Sequence, residues 1–181
     1  MNALTLLFGG ARSGKSELAV RLARAQPGPV VVIATAQAGD EEMAARIAQH
    51  RRERAPEWET IEAPLELRDA LARAPDDACV IIDCLTLWTS NMLAARGATE
   101  TEAQAGPMAT TAATRRGPTI VVSNEVGLGI VPDNPLAREY RDLLGRVNAI
   151  WAAAADHAYL LVAGRALALE PATTLVEELA Q

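Results

Sequence analysis

Residues 9–16 read GGARSGKS and directly follow the apolar run ALTLLF at 3–8; a helix-period segment opens at 16. A G-x-x-x-x-G-K-[ST] stretch in that context narrows the fold sharply. It needs a strand ending at a tight turn and a helix starting from it, so that backbone N–H groups and the helix amino terminus meet an anion together. Gly9, Gly10, Ala11, Arg12, Ser13, Gly14, Lys15 and Ser16 are therefore expected to cradle a nucleoside triphosphate. Lys15 is the chain's only lysine, although seventeen residues are Lys or Arg. An ammonium is a compact point charge that fits between β- and γ-oxygens, where a planar guanidinium needs a wider cavity. Lysine is kept where arginine does not fit.

Further short apolar runs stand at 30–34, 79–83, 119–124 and 157–162, with a more alternating one at 58–63 suited to a sheet edge. Continuous apolar runs of this length suit strands covered on both faces. Helix-period segments lie between them, near 16–26, 40–54, 65–74, 85–96 and 134–155. This alternation predicts an α/β, P-loop NTPase-like three-layer fold: a mostly parallel central sheet with helices on both faces, forming one domain over 1–181. ALALE at 166–170, just after Gly164, suits a C-terminal antiparallel hairpin return. The stretch 97–118, GATETEAQAGPMATTAATRRGP, has Thr, Gly and Pro where a crossover helix would carry large apolar residues, and predicts a loop or a poorly ordered helix.

A net charge of −6 excludes a phosphate-backbone binder as the first reading, so no nucleic-acid partner is expected. There is no leader-like amino terminus and no long uncharged apolar run, so a cytoplasmic protein without a membrane span is expected. Cys79 and Cys84 would lie about 16 Å apart on an extended chain, too far for a disulfide, and read as buried thiols.

Asp83 ends the run VIID, where folds of this class place a carboxylate in the Mg²⁺ shell; Ser16 is the second candidate ligand. An Asn-Lys-x-Asp guanine motif cannot exist in a chain whose only lysine is Lys15, which excludes a signalling GTPase. An enzyme acting on a small molecule is favoured, a small-molecule kinase with His50 structural among the options; a non-catalytic nucleotide-binding regulatory module and a RecA-like motor stay open, although a motor needs partner-binding surface that 181 residues scarcely supply. His50 shares a helix face with Met43 and Ile47 in a helix capped by Asp40. Packing alone would explain it, but Arg46, Arg51, Arg52 and Arg54 crowd around it and can form an anion pocket.

Several stretches together resemble one family. GGARSGKS at 9, IATAQAGDEEMAARIAQHR at 33, WETIEAPLEL at 58, DCLTLWTSN at 83, VSNEVGLGIVP at 122 and LAREYRDLLGRVNAIWAAAAD at 136 are similar, in this order, to the bifunctional adenosylcobinamide kinase / adenosylcobinamide-phosphate guanylyltransferases of cobalamin biosynthesis. The resemblance implies two reactions, phosphorylation of adenosylcobinamide by ATP or GTP and then transfer of GMP from GTP to adenosylcobinamide phosphate. It makes His50 the guanylylated nucleophile and Lys15 its catalytic companion, with Mg²⁺ as cofactor. It also suggests nucleotide contacts from Ala34, Thr35 and Ala36, from Arg51, Arg52, Glu53 and Arg54, and from Glu62 and Leu85. A homo-oligomer, in trimer form, is implied as well. Gln49 departs from the pattern, since some members carry a second histidine there.

Glu125 is placed to orient an acceptor hydroxyl or bind metal, and Arg138, Arg141 and Arg146 to serve phosphates or decorate a helix. His157, at a strand entrance, reads as structural.

Overall fold

In a computed structural model describing residues 3–180, the elements alternate along the chain as the apolar runs predict. They are β1 (Leu4–Gly9), α1 (Lys15–Arg24), β2 (Val30–Ala34), α2 (Glu41–Glu53), β3 (Glu59–Glu62), α3 (Leu67–Arg73), β4 (Cys79–Asp83), α4 (Leu85–Arg96), α5 (Ala98–Ala113), β5 (Thr119–Val122), α6 (Pro135–Ala154), β6 (His157–Val162), β7 (Arg165–Ala168) and α7 (Ala172–Leu179). The strands form one sheet in the order β3-β2-β4-β5-β1-β6-β7. Every pair is parallel except β6 with β7. The alternating run at 58–63 contains β3, which is indeed an edge strand.

Successive side chains leave a strand on opposite faces, and the two halves of the core follow that period. Leu4, Leu6, Phe8, Val31, Ile33, Val80, Ile82 and Val121 face one side, with Leu71 of α3, Trp88 of α4, Met108 of α5 and Trp151 of α6. Leu7, Val30, Val32, Ile81, Ile120 and Val122 face the other, with Ala19 and Ala23 of α1. The result is three layers.

The expectation for 97–118 is corrected: α5 is a regular sixteen-residue helix with Pro107 inside it. Its buried residues are Thr101, Ala105, Met108, Ala109 and Ala112, which keep helical spacing with small side chains in place of large ones. Small residues let α5 lie close to α6, and Thr101, Thr110, Thr111 and Thr114 return their hydroxyls to carbonyls one turn earlier. The hairpin return is as expected, a two-residue connection with Ala163 and Gly164 both at positive φ.

That hairpin braces the phosphate loop. Gly164 N–H donates to the Ser13 carbonyl at 3.0 Å, and Gly9 pairs with Leu161 of β6. A Cβ on Gly9 would meet the Leu161 carbonyl oxygen at 2.2 Å, with φ at +150° adding strain. Gly9→Ala is accordingly expected to cost roughly 3 kcal/mol, a fall in melting temperature of about 10 °C. Thermal unfolding measures it, and an unchanged melting temperature would show that the loop can shift away from β6 freely.

Candidate active site

The register of the sheet assembles the site. Leu7 and Asp83 both pair with Val122, so the turn after β1 and the carboxylate ending β4 reach the same carboxyl edge across β5. Ligands of open parallel sheets bind beyond that edge. A cavity of about 420 Å³ opens there, lined by Ala11 to Ser16, by α2, by Ala34, Ala36 and Glu62, and by the β4 exit.

Lys15 is buried at the start of α1, and its Nζ donates to the Gly9 carbonyl at 2.9 Å, the Gly10 carbonyl at 2.6 Å and Ser13 Oγ at 3.3 Å. The ammonium is thus folded into its own loop. Burial lowers its pKa from the ordinary value, opposed by the nearby Cys84 and Asp83. Gly14 reaches φ +95° as the N-cap of α1, so the left-handed turn that aims the helix amino terminus into the cavity rests on a glycine.

The helix carrying His50 begins where expected, with Asp40 accepting from Met43 N–H at 2.7 Å. Ten residues later, about 15 Å along the axis, His50 still meets the carboxyl edge of the sheet: its Nδ1 lies 3.3 Å from Asp83 Oδ2. This is achieved because α2 buries none of its residues fully and stands off the sheet, lining the cavity with Met43, Arg46, Ile47, His50 and Arg51. Arg54, one turn further, places Nη2 3.6 Å from the same Oδ2. The Asp83 hydrogen bond raises the pKa of His50 and outweighs the opposing effect of burial. Burial lowers that of Arg54. On the cavity rim Arg51 pairs with Glu62.

Of the remaining predicted residues, several do not face the cavity. Thr35 is fully buried: its hydroxyl donates to the Cys84 carbonyl at 2.7 Å and accepts from Cys84 N–H at 2.8 Å, clamping β2 to the β4 exit. Leu85 is core. Arg52 is exposed; Glu53, exposed as well, accepts from Arg24 and Gln49 and touches only a small recess that shares Ser16, His50, Arg54 and Asp83 with the cavity. Gly9 and Gly10 act through their carbonyls on Lys15 rather than as lining.

Outside the phosphate loop, Glu125 turns back to accept from Gly127 N–H, while its own N–H donates to the Gly9 carbonyl at 3.1 Å. Arg138 donates to the carbonyls of Pro132 and Asp133, Arg146 pairs with Glu102 of α5, and Arg141 lies near Asp142. None of the three lines the cavity. His157 is exposed at the amino end of β6, opposite Thr5 and remote from the loop. Cys79 is buried and Cys84 partly so; burial pushes both thiols up to about 11, which keeps them protonated.

Thr86 and Asn124 line the cavity without having been singled out from sequence. Thr86 Oγ1 accepts from Asn124 N–H at 2.7 Å, and Asn148 of α6 links Ser123 Oγ at 2.6 Å to the Asn124 carbonyl at 3.0 Å. Asn148, on the same helix face as Leu144 and Trp151 in LLGRVNAIW, was the available signal.

A parallel sheet whose first glycine-rich turn presents a buried lysine beside a strand-end carboxylate defines a P-loop nucleotide-binding protein. An ATPase from the type III secretion system of pathogenic bacteria shares that fold, with a TM-score of 0.55 at 14% identity over 97% of this chain and 53% of the other. The chain belongs to the cobinamide kinase / cobinamide phosphate guanyltransferase family, whose model matches residues 5–169. The bifunctional adenosylcobalamin biosynthesis protein CobP of Pseudomonas aeruginosa is 42% identical over 166 residues, covering 91% of this chain and 96% of that one. CobU of Salmonella typhimurium, described in the same words, is 42% identical over 176 residues, covering 89% and 96%. No helix among the described residues is long and apolar enough to cross a membrane.

Proposed function

We propose that one nucleotide cavity serves two transfers: the γ-phosphoryl group of ATP or GTP to the aminopropanol hydroxyl of adenosylcobinamide, then GMP from GTP to the resulting phosphate. The observation that carries this is His50 lining the same cavity as Lys15. A kinase alone has no use for an imidazole there. In the second transfer His50 attacks the α-phosphorus, dividing one displacement into two. Lys15, the loop N–H groups and Arg54 stabilise the departing pyrophosphate. In the first, the same cradle holds the triphosphate while the acceptor hydroxyl approaches the γ-phosphorus in line.

The donor set suits Mg²⁺, which takes hard oxygen ligands and keeps phosphate oxygens and waters in its shell. Ser16 and Asp83 would hold it; both line the main cavity and also a smaller recess that shares His50 and Arg54 with that cavity. The metal would supply positive charge against the charge that develops on the phosphate oxygens. Arg51 and Glu62 stand at the rim for nucleotide recognition. The enzyme acts in the cytoplasm as a homo-oligomer, a trimer in this reading, and takes small-molecule corrinoid substrates with no nucleic acid.

GTP labelled at the α-phosphate is expected to leave an acid-labile, alkali-stable label on the protein that is absent in His50→Ala. Phosphorylation of adenosylcobinamide is expected to persist in that variant. A label that survives His50→Ala would overturn the nucleophile assignment, and turnover of ATP with no label in the unaltered enzyme would reduce the protein to a kinase.

A further inference from the structure

His50 offers two ring nitrogens, and the geometry around Asp83 distinguishes them. Asp83 Oδ2 lies 3.3 Å from Nδ1. A carboxylate oxygen accepts hydrogen bonds, and this contact assigns the donated proton to Nδ1. In the neutral ring that leaves the lone pair on Nε2, at the opposite edge of a side chain that is 41% exposed and lines the cavity. A histidine ring with no neighbour modestly favours the proton on Nε2; here a neighbouring acceptor reverses that preference.

Asp83 is itself held in place from several directions. Its backbone carbonyl accepts from Thr35 N–H at 3.1 Å, and the next residue is clamped by the Thr35 hydroxyl. Both the His50 and Arg54 contacts fall on Oδ2, so Oδ1 would be the oxygen available to a cation. One carboxylate can therefore orient the histidine and face the metal at once.

We infer that Asp83 is a positioning residue that fixes the Nδ1–H form of His50 and so directs the guanylyl group onto Nε2. This rests on the two-transfer reading above and adds the atom at which it occurs. The Nε2 lone pair forms the bond to the α-phosphorus, and the α-phosphorus bond to the bridging oxygen breaks, its electron pair leaving with pyrophosphate. The proton stays on Nδ1, so the guanylylated ring is a cation facing the Asp83 carboxylate. When a phosphate oxygen of the acceptor attacks, the P–N bond breaks and its electron pair returns to Nε2. The carboxylate thus keeps the ring a competent leaving group without any proton moving.

Two measurements test this. After labelling with α-³²P GTP, periodate oxidation and elimination remove the nucleoside and leave phosphate on the ring; alkaline hydrolysis then yields one of two separable phosphohistidines. The 3-phospho isomer, substituted at Nε2, is expected in about tenfold excess or more, the bias of one charge-assisted hydrogen bond. The 1-phospho isomer, or a comparable mixture, would overturn the inference and leave the two-transfer reading intact. Absence of any labelled histidine would instead sink that reading, and the guanylyl chemistry drawn here with it.

The second measurement needs neither nucleotide nor metal. The chain has two histidines, so His157→Gln leaves a single imidazole for ¹⁵N spectroscopy at a pH where it is neutral. The ligand-free protein is expected to show the Nδ1–H form in excess, and Asp83→Ala, with its fold verified, is expected to reverse it. An Nε2–H majority in the unaltered protein, or a ratio that Asp83→Ala does not move, would refute the positioning role.

Discussion

Lys15→Arg is expected to lower both transfers by roughly 10²–10³-fold, the size of effect seen when one preorganised donor to a developing charge is lost. The substitution keeps the positive charge, so what it removes is shape. Lys15 Nζ sits within 2.9 Å of two loop carbonyls, Gly9 and Gly10, and 3.3 Å from Ser13 Oγ. A guanidinium is planar, carries five donors and cannot enter a nest this narrow without pushing the loop apart. The loop has little room to move, because Gly9 lies against the Leu161 carbonyl and Ser13 is tied to Gly164. In the bound state the ammonium must exchange those carbonyls for phosphate oxygens, a small movement for a point charge on a flexible stem. Measured kcat/KM for each half-reaction, with the melting temperature as a control on folding, decides the matter. An arginine variant that keeps more than a tenth of both rates would show that charge alone is required. Loss of one rate only would mean that the two transfers do not share the cradle.

The parts of this molecule legible in the sequence are those where backbone and side chain obey a short-range rule. The glycine-rich turn, the Asp40 cap and the β-branched runs each announce themselves over a few residues, and the strand ends fall within one or two positions of expectation. Thr35 shows where that logic stops. It stands between Ala34 and Ala36, which line the cavity, but extended chains alternate sides, so its hydroxyl meets Cys84. Leu85 likewise follows the strand end closely and yet points into the core. The position of His50 was not readable either, because nothing local says that α2 will stand off the sheet. What decides it is the long-range pair of contacts to Asp83, thirty-three residues away. For 97–118 the rule that a crossover helix carries large apolar residues was the wrong one. Alanine and threonine at helical spacing pack against α6 as closely as its own side chains allow.

Arg115 makes the same point with a larger energetic consequence, and Arg115→Met is expected to destabilise the fold by about 3–5 kcal/mol. Read in sequence it is one of two arginines before a glycine, indistinguishable from a solvated turn. In the fold it is buried, and its guanidinium gathers four carbonyls: Leu71 and Ala74 accept from Nη1 at 3.2 and 3.4 Å, Pro75 and Ala78 from Nη2 at 2.6 and 3.1 Å. Two of these close the end of α3, where carbonyls lack helical partners and the dipole favours a cation. The other two fix the turn that leads into β4, whose far end is Asp83. Methionine fills similar volume but offers no donor, so all four oxygens would lose the guanidinium in a place water reaches poorly, and of them Pro75 keeps the Ala78 N–H at 3.0 Å. A drop in melting temperature of roughly 10 °C follows for a chain of this length. Arg115→Lys should fall between the two, since an ammonium keeps the charge but cannot span both pairs of carbonyls. Thermal unfolding of the three proteins gives the order directly. If methionine melts within about 2 °C of the unaltered chain, the carbonyls find other donors and the guanidinium is dispensable. If lysine matches arginine, charge at the end of α3 is what holds this corner, and the fork of donors is incidental.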